Sequence, residues 1–236
     1  MKIAFFGDSL TFGSPGVSFL KLLEKAFPRH QLINYGQGGD TVVSLYRRIH
    51  TLPTEPYDMA FLWVGVNDEL VYASWTYPLL KQLRRQPWAK NMNEFKVYYR
   101  RLIDLLYPQT RQLVTVTPLL IGEDIHNPWN RNLARMGEII QTISAEYSKV
   151  RCIDIRSKIV PKLEGKEASS FFPRSLIRIL RDMAAFKTAA DVEAESRNRK
   201  LYFTLDGVHL NQKGAEIAAG LFADAIRDFE EEAESS

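Results

Sequence analysis

Cysteine is nearly absent. Cys152 is the single one in 236 residues, so no disulfide within the chain can staple the fold, and a hydrophobic core has to hold it. Long apolar runs are missing too. No stretch of about 18 apolar residues occurs, which excludes a membrane-spanning helix. The opening segment Ile3-Ala4-Phe5-Phe6 is too short for a secretory leader and is followed at once by Asp8, so the chain is expected to be cytoplasmic. His30, His50 and His126 have no ligand-like spacing, and neither a metal nor any other cofactor is expected. The glycine cluster Gly36-Gln37-Gly38-Gly39 lacks the lysine of a phosphate-binding P-loop and does not match Gly-x-Gly-x-x-Gly, which argues against a nucleotide.

Charge of one sign is in short supply as well, with 31 basic against 28 acidic side chains. The acids concentrate at the end: residues 224–236 hold six carboxylates against Arg227, a net −5, which leaves +8 on the remainder. This is read as a solvated acidic tail on a mildly basic body. The basic clusters Arg47-Arg48, Lys81 to Arg85, Arg100-Arg101 and Arg197 to Lys200 are scattered and lack nucleic-acid motif spacing. No nucleic-acid partner is expected, and nothing in the sequence indicates an oligomeric state.

What is present is an alternation of apolar runs and helical patterns. Strands are predicted at Lys2–Gly7, Leu32–Tyr35, Asp58–Val64, Gln112–Thr117 and Val150–Ile155. Helices are predicted from a Ser14-Pro15 start to Phe27, from Asp40 or Thr41 to Ile49, and over Glu94–Tyr107, Trp129–Tyr147 and Gln212–Phe229. Strictly alternating strands and helices imply right-handed crossovers and a mostly parallel sheet covered on both faces. The expected fold class is α/β: a flavodoxin-like three-layer α/β/α sandwich with a mostly parallel five-stranded sheet, whose order is expected, by analogy with that architecture, to be 2-1-3-4-5. One domain is expected over 1–236, with insertions at about 69–93 and 156–205. The first insertion carries Tyr72, Trp75, Tyr77, Pro78 and Trp88; the second carries Phe171-Phe172-Pro173 and a predicted helix over Ser175–Phe186. The aromatics of the first are read as packing under a cap, or else as a substrate platform, and its length suggests a lid.

Ligands of open α/β sheets bind outside the carboxyl ends of the strands. Gly7-Asp8-Ser9-Leu10 follows the first strand, Gly36 to Thr41 the second, and Gly65-Val66-Asn67-Asp68 the third; Asp206-Gly207-Val208-His209 precedes the last helix. A hydrolytic reading uses all four. Ser9 is a candidate nucleophile, which needs an adjacent base. His209 can take its proton, and Asp206, three residues earlier, can hold the imidazole in the useful tautomer. The backbone N–H groups of Ser9 and Gly39 and the Asn67 amide can stabilise an oxyanion. Gly38 is an alternative to Gly39, Asp206 could instead cap the last helix, and Asp8 and Asp68 are read as loop braces.

These four ordered blocks resemble the SGNH hydrolases, also called GDSL esterases and lipases. Gly7-Asp8-Ser9-Leu10 is similar to the nucleophile block, Gly39 to the glycine of the second, Asn67 to the asparagine of the third, and Asp206 with His209 to the last. The resemblance spans residues 5 to 210 and implies a metal-independent carboxylic ester hydrolase with a flavodoxin-like fold. The expected partner is a small-molecule ester, on a lipid or lysophospholipid. The alternatives are a carbohydrate O-deacetylase using the same residues, or a non-catalytic binding protein on this scaffold. No Gly-x-Ser-x-Gly occurs, and serine lies at the very first strand, which argues against the α/β-hydrolase fold.

Overall fold

A computed structural model describes the chain except residues 74, 75, 168, 170, 173–175, 187 and 236, and leaves the side chains of 176, 177, 179, 180 and 183 undescribed. The expected positions Trp75, Pro173 and Ser175 lie outside the described residues.

Five strands form one sheet: β1 (Lys2–Gly7), β2 (Gln31–Gly36), β3 (Tyr57–Trp63), β4 (Thr110–Val116) and β5 (Val150–Ile153). Their order is β2-β1-β3-β4-β5, and every pairing is parallel, with Ala4 opposite Ile33 on one side and Ala60 on the other. This matches the expected three-layer fold and strand order. Central parallel strands are covered on both faces and therefore carry nearly unbroken apolar runs. Such are Ile3 to Phe6 in β1 and Met59 to Trp63 in β3, all buried.

Between the strands run α1 (Ser9–Phe12), α2 (Phe19–Ala26), α3 (Val42–Ile49), α4 (Val66–Ala73), α5 (Thr76–Leu83), α6 (Met92–Leu106) and α7 (Pro128–Ser144). After β5 come α8 (Arg156–Leu163), α9 (Leu176–Ala185), α10 (Ala189–Asn198) and α11 (Gln212–Glu234). Helices α2 and α11 pack together on one face, while α3, α6 and α7 lie side by side on the other. Residues i and i+2 of a strand share a face. Phe61 and Trp63 of β3 thus join Phe5 of β1 beneath Phe19 of α2 and Phe222 of α11, with Phe61 and Phe222 stacked 4.7 Å apart. Among the described residues, no helix is long and apolar enough to cross a membrane.

The predicted helix from Ser14 begins four residues late. Ser18 is the N-cap of α2, accepting from the Lys21 N–H at 3.4 Å. Gly13 and Gly16 have φ of +82° and +101°, a left-handed backbone that breaks a helix. The Val17 N–H instead donates to the Leu210 carbonyl, and a Cβ on Gly16 would lie 2.4 Å from that oxygen. The stretch before α2 is thus drawn against the loop that carries His209, a long-range pairing that no local pattern announces.

Phe222 is fully buried at the centre of the aromatic cluster, and its truncation leaves a cavity that the rigid sheet cannot collapse to fill. Phe222→Ala is expected to destabilise the fold by about 3–5 kcal/mol, measured by denaturant unfolding.

Candidate active site

Ser9 is the first residue of α1, directly after β1. Asp8 caps that short helix, accepting from the Leu10 N–H at 2.9 Å. Asn67 lies in the first turn of α4, after β3, and donates one N–H to Asp8 Oδ2 at 3.1 Å. A primary amide has a second N–H to offer. Asp68 accepts from the Val42 N–H at 2.9 Å and the Ala89 N–H at 3.3 Å. The two aspartates therefore tie together the loops that follow β1, β2 and β3.

His209 comes from the other end of the chain. Its Nε2 stands 2.9 Å from Ser9 Oγ, and its Nδ1 stands 2.8 Å from Asp206 Oδ2. With Asp206 ionised, Nδ1 carries the proton and Nε2 is free to accept from the serine hydroxyl. Asp206 Oδ1 accepts from the N–H groups of Val208 and His209 at 3.0 and 2.8 Å. Burial disfavours the Asp206 charge, but the imidazole and these hydrogen bonds outweigh it and hold its pKa below the ordinary value. Burial likewise disfavours a charged His209, yet Asp206, with Asp8 and Asp182 beyond it, raises the pKa above the usual 6.5. The last helix takes its cap from Asn211, which accepts from the Gly214 N–H, so Asp206 is not spent on that role.

The Asp206–His209 turn is closed by local bonds and held in place by distant ones. Leu205 N–H donates to the His209 carbonyl at 2.7 Å, and Thr204 bridges Leu210 in antiparallel fashion. Gly207 has φ +87°, and a Cβ there would meet the Phe171 carbonyl at 2.5 Å, so no side chain fits. Glu123, buried after β4, accepts from the N–H groups of Tyr202, Phe203 and Thr204 at 2.6, 2.8 and 2.9 Å. Arg199 donates to the Leu205 carbonyl and is paired with buried Asp182 at 2.7 Å. Sequence reasoning missed Glu123 and Asp182, because single charges without a motif look like surface, and it saw Arg199 only as one of the basic run Arg197 to Lys200.

A cavity of about 240 Å³ opens over Ser9, Gly39, Asn67 and His209. Gly39 has φ +83°, and a Cβ on it would meet Gln86 Oε1 at 2.9 Å, whereas a Cβ on Gly38 would meet nothing within 4 Å. The far wall comes from the first predicted insertion. Tyr77 and Lys81 of α5 are buried, and Lys81 donates to the Gly39 carbonyl. Lys81, grouped in the sequence with the basic run to Arg85, is 2% exposed, and burial lowers its pKa to about 8 against the pull of Asp68, Asp8 and Asp40. Burial raises Asp8 to about 6 and Asp68 to about 7. His50 and His126 are exposed, and His30 lies against Glu230. Among the described residues, no three His, Cys, Asp or Glu side chains group as metal ligands.

A hydroxyl hydrogen-bonded to an imidazole that is itself bonded to a carboxylate can attack a carbonyl carbon and shuttle the proton. Comparison with known proteins points the same way. Residues 5–217 match the GDSL-like lipase/acylhydrolase family, in agreement with the resemblance seen in the four blocks. An acetylxylan esterase of Geobacillus stearothermophilus is 24% identical over 169 residues, 63% of this chain and 74% of that protein. A solved acetyl xylan esterase superposes with a TM-score of 0.64 at 20% identity, covering 96% of this chain and all of that one. An α/β hydrolase from the metagenome of Lake Arreo, Spain, gives 0.65 at 18% identity, covering 95% and 94%.

Glu123→Ala would leave three backbone N–H groups without an acceptor, at about 1–3 kcal/mol each if they stay dry. A fall in stability of several kcal/mol is expected on thermal denaturation, with the 202–210 loop first to open in hydrogen exchange.

Proposed function

The chain belongs to the GDSL-like lipase/acylhydrolase family and is a carboxylic ester hydrolase, and we propose that it works as a serine esterase through an acyl-enzyme. The alternative of a non-catalytic binding protein is thereby set aside. The observation that carries the mechanism is the continuous path from Ser9 Oγ to His209 Nε2 at 2.9 Å and from His209 Nδ1 to Asp206 Oδ2 at 2.8 Å. Catalytic mutants of the Geobacillus enzyme replace a serine, an aspartate and a histidine, the last two three positions apart, the spacing of Asp206 and His209 here.

Ser9 Oγ attacks the ester carbonyl as its proton passes to His209 Nε2. Asp206 stabilises the imidazolium that results. The developing oxyanion is met by the N–H groups of Ser9 and Gly39 and by the Asn67 amide. Collapse of the tetrahedral intermediate breaks the ester C–O bond, and His209 returns the proton to the departing alcohol. Water then gives a proton to His209 as it attacks the acyl carbon; the bond from that carbon to Ser9 Oγ breaks, His209 passes the proton to Oγ, and the acid leaves.

Two substrate readings have support. The acetylxylan esterases among the relatives favour removal of O-acetyl groups from a carbohydrate. The cavity wall of Phe12, Leu70, Tyr77, Leu80 and Val208 favours a longer acyl chain, as on a lipid or lysophospholipid. Assays on acetylated xylooligosaccharides, p-nitrophenyl esters of rising chain length and lysophospholipids separate them: the class with the highest kcat/KM identifies the substrate. Ser9→Ala is expected to lower turnover of p-nitrophenyl acetate by at least about 10³-fold with the melting temperature nearly unchanged. Full activity in that variant would refute the mechanism.

His209 must be neutral to accept the serine proton, and its pKa lies above 6.5. The profile of kcat/KM is therefore expected to rise with pH along an acid limb centred above 6.5. Asp206→Asn removes the charge that raises this pKa, so its residual activity should show the limb at lower pH.

A further inference from the structure

Residues Gln37 to Asp40 close a tight turn, with the Asp40 N–H donating to the Gln37 carbonyl at 3.1 Å. Gly39, the third residue, has φ +83°, the sign that a type II turn requires there. Types I and II differ chiefly by rotation of the central peptide through about 180°. Here that peptide joins Gly38 to Gly39 and carries the Gly39 N–H, so its rotation decides where this donor points. Glycine at both central positions lets either form occur, and a Cβ on Gly38 would meet nothing within 4 Å.

Gln86 breaks the tie. Its side-chain N–H donates to the Gly38 carbonyl at 3.1 Å, the oxygen of that same peptide. Rotation would carry the carbonyl away and leave the buried amide without its acceptor. Gln86 is 5% exposed, and among the described residues its Oε1 has no partner. Only the donor half of the side chain is used, and an unpaired buried acceptor is destabilising, so packing alone does not account for a glutamine here. Lys81 donates to the next carbonyl, that of Gly39, and clamps the other side of the turn. A donor on its carbonyl also polarises a peptide and strengthens its N–H.

We propose that Gln86 is a positioning residue for ester cleavage: it locks the Gly38–Gly39 peptide so that the Gly39 N–H stands ready as an oxyanion donor. This rests on the reading of Ser9 as nucleophile and Gly39 as donor, and gives the 76–86 segment a part in the reaction beyond walling the pocket.

The test uses Gln86→Met, which removes the donor at similar volume, and Gln86→Glu, which offers a carboxylate in place of the amide. Each is assayed with p-nitrophenyl acetate, with rates expressed per active site titrated to completion by a fluorophosphonate, so that partial misfolding does not mimic the effect. Inhibition by a boronic acid, which forms a tetrahedral adduct on serine, is measured alongside. Removing one oxyanion donor outright costs about 10²–10³ in kcat, and misdirecting it should cost somewhat less. The expected result is a fall of about 30–100-fold in kcat with KM within about twofold, and a similar fold-loss in boronic acid affinity. Variants that keep kcat within about twofold, or that raise KM alone, overturn the proposal provided Ser9→Ala is inactive. An active Ser9→Ala would overturn the underlying mechanism instead.

Discussion

Because β2 lies on one side of β1 and β3 on the other, the loops leaving these three strands open toward a common crevice. Parallel strands end at the same edge of the sheet, and a reversal of winding direction splits the loops apart there. Ser9, Gly39 and Asn67 follow β1, β2 and β3 respectively, so one topological feature gathers three residues that are up to 58 positions apart. His209 and Asp206 do not come from that crossover. They arrive on a return loop that has to be held against the sheet edge by other means.

Those means are largely electrostatic and largely buried. Glu123 collects three backbone N–H groups, Arg199 joins Asp182 to the Leu205 carbonyl, and Asp8 and Asp68 brace the facing loops. Buried charges are weak contributors to net stability, because desolvation offsets most of their attraction. Their value here lies in direction: each is satisfied in one loop geometry only. The aromatic cluster of Phe5, Phe19, Phe61 and Phe222 supplies the non-directional stability against which such costs are tolerated.

The segment between α4 and α6, read from the sequence as packing or as a lid, is tied to the site by hydrogen bonds. Tyr77 and Lys81 point inward, Thr41 donates to the Pro87 carbonyl, and Tyr72 donates to the Ala89 carbonyl at 3.1 Å. It is bonded to the very loop it covers. Its outer face keeps Leu79 and Leu83 exposed, while its inner face is polar where it meets the Gly38–Gly39 turn.

Strand sequence, the five-stranded architecture and the four blocks were legible because each rests on local signals: apolar runs for β1 and β3, Thr41 before α3, and Asp206 three residues from His209. Helix boundaries failed where distant backbone intervened, as at Gly16, which packs on the Leu210 carbonyl. The partners of the site were illegible for the same reason. Lys81 sits in a run of basic residues, and nothing within the run distinguishes the buried one. Gln86 and Glu123 belong to no motif, since their acceptors and donors lie 48 and about 80 positions away. The amino-acid order by itself determined the five strands, the main helices that cover them and the chemical groups at the strand ends, because propensity and periodicity act over a few residues. Only the tertiary structure decided which charges are dry and which way the Gly38–Gly39 peptide faces, because burial and long-range hydrogen bonds exist only once the strands have come together.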